Sequence, residues 1–159
     1  MEPRDYVVRL GEISSKKLVL LNEILLFSRS QNEVIKGQRY EEMDLLLQEK
    51  QKRIDAVDKL DEQFSVYASR LKSLLGIASL EDLPRFGLEG TKTLKENVSR
   101  ILTLLEQIQV LDQENSSKVQ AELSDLKGKI KQNNSLKKIN NAYGAPQNSQ
   151  AAYYFDQKK

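Results

Sequence analysis

From Leu94 to Ile130 the chain carries one apolar register: Leu94, Val98, Ile101, Leu105, Ile108, Leu111, Asn115, Val119, Leu123, Leu126 and Ile130. Steps of three and four put all these side chains on one face of a single α-helix. No proline interrupts the run. At about 1.5 Å per residue it predicts a rod roughly 50 Å long.

The stripe is apolar until Asp112 and Asn115 reach the seam, and it resumes more thinly beyond them. One helix therefore has two predicted halves. Leu94 to Ile108 suits a permanent core. Asn115, Val119, Leu123, Leu126 and Ile130 are the expected partner-binding face. Asn115 has a second reading, as a seam residue that fixes helix register at some cost in stability. Gly128 and the lysines at 127, 129 and 131 weaken this end. Glycine costs about 1 kcal/mol against alanine inside a helix. The sequence thus predicts an end that orders fully only with a partner.

Two further long helices precede this one. The first starts near Pro3, since a first helical turn tolerates the missing N–H of proline. Its face runs Tyr6, Leu10, Ile13, Leu20, Ile24, Phe27 and Val34, with Lys17 as a break. Between Leu18 and Phe27 it is apolar on more than one side, as in a helix packed on most sides. The alternative is an oligomer surface, a homodimer for example, or a ligand surface. Gly37 predicts a turn over Lys36 to Arg39. The second helix runs from Tyr40 to Leu75 along Met43, Leu47, Ile54, Val57, Phe64, Leu71 and Leu74, and Lys50 and Asp61 interrupt it. The charges Glu49-Lys50-Gln51-Lys52-Arg53 and Asp58-Lys59-Leu60-Asp61-Glu62 read as a solvated face with local ion pairs.

Gly76 to Gly90 is the predicted connection. Ser79 with Asp82 three residues on resembles a capping box and predicts a short crossover helix. Thr91 or Thr93 is the expected cap of the third long helix. The fold class is therefore all-α: an elongated antiparallel bundle of three long helices, a short crossover helix and a flexible C-terminal tail. The expected division is residues 1–132 for the bundle and 133–159 for the tail. That tail is rich in Asn, Gln and Ser and cannot build a core. It follows a lysine-rich approach and contains Tyr143-Gly144, then Tyr153-Tyr154-Phe155. A recognition segment and a solvated terminus are both consistent with this composition.

Several chemistries are excluded. The chain has no Cys and no His, which removes disulfides, thiolate catalysis, Cys-ligated zinc and the usual base near neutral pH. A di-iron bundle of the common type lacks its histidines. No Gly-rich loop follows a strand, so no phosphate cradle is expected. The helices are too long and too mixed in charge for helix-turn-helix DNA binding, and a net charge of +2 adds no case for nucleic acid. The longest apolar run, Leu18 to Phe27, contains Asn22 and Glu23 and is about half of a bilayer span. The expectation is a cytoplasmic binding protein with no catalytic residues, cofactor, metal or membrane insertion.

Three segments, in this order, resemble the FlgN-type flagellar type III export chaperones. Glu49-Lys50-Gln51, followed by Ile54, Val57 and Leu60, is similar to that family's Glu-Lys-polar lead into a leucine-spaced helix. Ile108-Gln-Val-Leu111-Asp-Gln-Glu-Asn115 is similar to its Leu-Asn-x-x-Asn element. Ala142-Tyr143-Gly144-Ala145 and the close Phe155-Asp156-Gln157-Lys158-Lys159 resemble its tail. Ser116-Ser117-Lys118 departs from the leucine common after the Asn, and Asp112 stands where Asn is common. The resemblance implies binding of hook-associated subunits in the cytoplasm and delivery to an export-gate component, with Tyr143 and Gly144 docking at the gate. The competing readings are a structural coiled-coil or spectrin-like adaptor, and a related flagellin or filament-cap chaperone.

Overall fold

The computed structural model describes residues 1–128. Three long helices dominate: α1 (Pro3–Lys36), α2 (Met43–Leu75) and α3 (Thr91–Gly128). Each exceeds thirty residues, about 50 Å at the helical rise. The bundle is all-α, with no strand among the described residues. Two 3-10 turns, Tyr40–Glu42 and Leu80–Phe86, lie in the connections.

α1 is the central element. It packs along both other helices, while the α2 and α3 backbones rarely come near each other. This is the arrangement expected of a helix apolar on more than one side. Leu18, Leu21, Ile24 and Leu25 of α1 meet Ile54 and Val57 of α2 and Ile101, Leu105 and Ile108 of α3 in a middle apolar compartment. A second compartment, at the crossover end, gathers Tyr6, Val7 and Leu10 with Ala68, Leu71, Ile77, Leu83 and Leu94. A third, at the opposite end, joins Val34, Ile35, Met43 and Val119.

Local chemistry sets the element ends. Pro3 opens α1, and Glu2 and Asp5 close a capping box across its first turn. The turn expected over Lys36 to Arg39 is present, but its left-handed residue is Gln38, at φ 55°, while Gly37 stays helical at φ −85°. The N–H groups of Gln38 and Arg39 donate to the carbonyls of Ile35 and Val34. That is a Schellman ending with Gln38 one position past the cap. Left-handed backbone costs a non-glycine residue about 1–2 kcal/mol. Gln38→Gly should therefore stabilise the bundle by about 1 kcal/mol, raising the melting temperature by roughly 2–4 °C for a chain of this size. An unchanged or lower melting temperature would refute this.

In the crossover, the Ser79 hydroxyl accepts from the Glu81 N–H and caps the expected short helix, which is a 3-10 helix over Leu80–Phe86. The expected threonine cap of α3 is corrected. The helix begins at Thr91, and the Gly90 carbonyl accepts its first bond, from the Leu94 N–H. Gly90 has φ 91°, and a Cβ there would lie 3.4 Å from Val7. A glycine suits both the dihedral and the close approach of this linker to α1.

Candidate functional site

Two polar layers divide the three apolar compartments, and the second is the distinctive feature of the bundle. It draws on all three long helices. Lys50 of α2 reaches inward, and its ammonium donates to Asp112 Oδ1 of α3 at 2.7 Å and to Gln31 Oε1 of α1 at 3.1 Å. Ser28 Oγ donates to the same Asp112 oxygen at 2.8 Å. Asn32 Nδ2 donates to Asn115 Oδ1 at 2.8 Å, and Asn115 Nδ2 donates to the Ser28 carbonyl at 3.0 Å. Every member is buried; Lys50 is 2% exposed and Asn115 is fully enclosed. Burial pulls the Lys50 ammonium below the ordinary lysine range, and the charge and hydrogen bond of Asp112 oppose that shift.

The first layer lies between the crossover and middle compartments. Lys17 of α1 pairs with Asp61 of α2, both nearly inaccessible. Asn97 of α3 donates to the hydroxyls of Ser14 and Ser15. Asp58, one turn before Asp61, is raised above the ordinary aspartate range, first by burial and then by the carboxylates of Asp61 and Asp55.

Lys50 and Asp61, expected on a solvated charged face, are instead buried in the bundle. Their neighbours behave as expected: Glu49 pairs locally with Lys52 and Arg53. The signal that separates the two kinds of charge was present. Lys50 stands between Leu47 and Ile54, and Asp61 between Val57 and Phe64, all at stripe spacing.

The same bonds fix the alignment of α1 and α3. Ser14 to Asn97, Ser28 to Asp112 and Asn32 to Asn115 are offset by 83 or 84 positions. The two helices thus run parallel, and the end of α1 at Lys36 comes level with Val119. Residues 120–128 of α3 continue past it, an overhang of roughly 13 Å at the helical rise.

The expected partner-binding residues occupy unlike places. Asn115 and Val119 are fully buried and Leu123 is 6% exposed. In the free chain these three therefore belong to the interior, where core was expected to stop at Ile108. The Asn115 bonds fit the register role. Leu126, half-buried on the overhang, is the described member with surface to offer. Ile130, Tyr143 and Gly144, like the whole 133–159 segment, lie outside the described residues. Among the described residues no cluster of acidic side chains is placed to hold a metal, and no helix is long and apolar enough to cross a membrane.

Fold and site together define a class: an all-α bundle of long helices with paired charges spanning its core. Within that class the chain belongs to the FlgN family, whose model, described as FlgN protein, matches residues 1–151. It is accordingly a flagellar export chaperone, from a family of chaperones and not of enzymes. No curated protein and no solved structure was found to match it.

Proposed function

We propose that this chaperone binds hook-associated subunits, those of the hook–filament junction, in the cytoplasm, keeps them soluble and delivers them to the flagellar export gate. The observation that carries the reading is the overhang of α3. There the apolar register outruns α1, so Leu126 has no α1 side chain opposite it, and the sequence carries the same register on to Ile130. An amphipathic helix from an export subunit, unable to bury its own stripe, can cover that surface as in helix-in-groove recognition. Val119 and Leu123 join the interface when the end compartment opens. The polar layer at Lys50 and Asp112 makes that compartment a small unit that can open without the middle one.

Tyr143 and Gly144 serve the second half of the task, docking at the gate. Tyrosine offers large contact area for few frozen torsions, and glycine lets the backbone beside it approach closely. In this reading residues 1–132 hold the cargo and 133–159 carry the address.

A pull-down tests it. The purified chain should retain hook–filament junction subunits. Leu126→Asp should weaken retention about tenfold, the equivalent of about 1.4 kcal/mol, with little change in melting temperature. Tyr143→Ala should leave retention intact and reduce export. Retention of flagellin or cap subunits in place of junction subunits, or of neither, would refute the assignment.

A further inference from the structure

The gap between α2 and α3 is not filled evenly. In the half of the bundle beyond the middle, long side chains bridge it, Lys50 to Asp112 above all. Toward the crossover the α2 side is set by Ser65, Ala68 and Ser69 beside Phe64, and the α3 side by Ser99 with Val98 and Leu102. The result is an open trough of about 740 Å³ between the two helices, closed at one end by the Ser79–Pro84 turn. Ala68, Leu94 and Val98 give it an apolar floor. Helices pack at interaxial distances of about 8–10 Å, the closer ones where contact residues are small. An open trough with an apolar floor and small residues along its α2 wall suits a helix lying lengthwise, as the fourth member of a bundle would.

Two polar features say what that helix should carry. Asp61 lines the trough and is 6% exposed. Its Oδ1 accepts from Lys17, while Oδ2 is buried without a hydrogen-bond partner. A buried acceptor left without a donor is unfavourable, and a ligand donor would relieve that cost. On the rims stand Lys72 of α2 and Lys95 of α3, one on each side. Neither forms an ion pair among the described residues. Glu81, on the turn that closes the end, is the acidic lining residue besides Asp61.

We propose that this trough is a second docking surface, taking an amphipathic helix of the cargo that bears carboxylates on both flanks and a hydrogen-bond donor on its buried face. The proposal rests on the cargo-chaperone reading above and adds a contact at the opposite end of the bundle from the α3 overhang. The carboxylates meet Lys72 and Lys95, and the donor meets Asp61 Oδ2 as that carboxylate turns toward the trough. The chain's own residues 129–159 are a poor match, because they hold six lysines and one acid, Asp156.

The test uses the full chain and full-length hook–filament junction subunits. A photo-crosslinking residue at Ser69 should trap the subunit, and one at Gln51, outside the trough, should not. Lys72→Glu with Lys95→Glu should weaken binding about tenfold, with a shallower salt dependence, as expected when rim charges steer association. Ser69→Trp should block the trough while leaving the melting temperature near that of the unaltered chain. A subunit that binds the unaltered chain and both variants equally overturns the trough alone. A chain that retains no junction subunit at all overturns the cargo reading and the trough with it. Crosslinks from Ser69 into residues 129–159, or into a second copy, assign the surface to those occupants and overturn the proposal.

Discussion

Lys50→Ala will destabilise the bundle by about 3–5 kcal/mol, the usual consequence of breaking a buried ion pair from one side. The Asp112 carboxylate stays buried without its cation, and Gln31 Oε1 loses the same donor. Most of the loss is the penalty of a stranded charge and not the worth of the pair. Lys50→Met combined with Asp112→Leu should therefore recover most of the stability, because well-packed apolar replacements of a buried pair are often neutral or better. Urea denaturation of the two single variants and the double variant gives the coupling directly. A Lys50→Ala loss below about 1 kcal/mol would mean that water reaches the pair.

Ile101→Ala should cost about 2–5 kcal/mol, as for other truncations in a closed core. Ile101 is 1% exposed in the middle compartment, facing side chains from both other helices. The informative comparison lies along the same stripe. Leu123 is nearly as buried, but it sits on the overhang, where α1 no longer runs alongside. Leu123→Ala should cost clearly less than Ile101→Ala, and Leu126→Ala less than about 0.5 kcal/mol, the range of ordinary surface changes. Equal losses at positions 101, 123 and 126 would make α3 uniformly core and remove the overhang as a binding surface.

The helical fold was legible in the sequence because stripes of three- and four-residue steps survive wherever charge does not interrupt them. The position of α1 at the centre was legible too, from apolar side chains on more than one face between Leu18 and Phe27. The breaks in each stripe, Lys17, Lys50, Asp61, Asp112 and Asn115, were equally visible. What the sequence could not supply was their pairing. That Lys17 meets Asp61 and Lys50 meets Asp112 depends on how far each helix slides along its neighbour, and helical periodicity alone does not set that slide. The same missing quantity moved the boundary of the core from Ile108 to Leu123. The turn after α1 was legible, and only its left-handed position differed: glycine permits a left-handed residue, but the Schellman bonds placed it at Gln38.

The separation of paired charges along the chain also orders events during synthesis. Lys17 finds Asp61 within the α1–α2 hairpin, 44 positions on. Lys50 must wait for Asp112, a further 62 positions, about 3 to 12 s at the usual elongation rates. Over that interval the emerging hairpin holds an ammonium whose anion has not yet been made, with Gln31 as its nearest native acceptor. The nascent hairpin cannot close dry around Lys50, so the ribosome releases a chain whose last docking step is the arrival of α3.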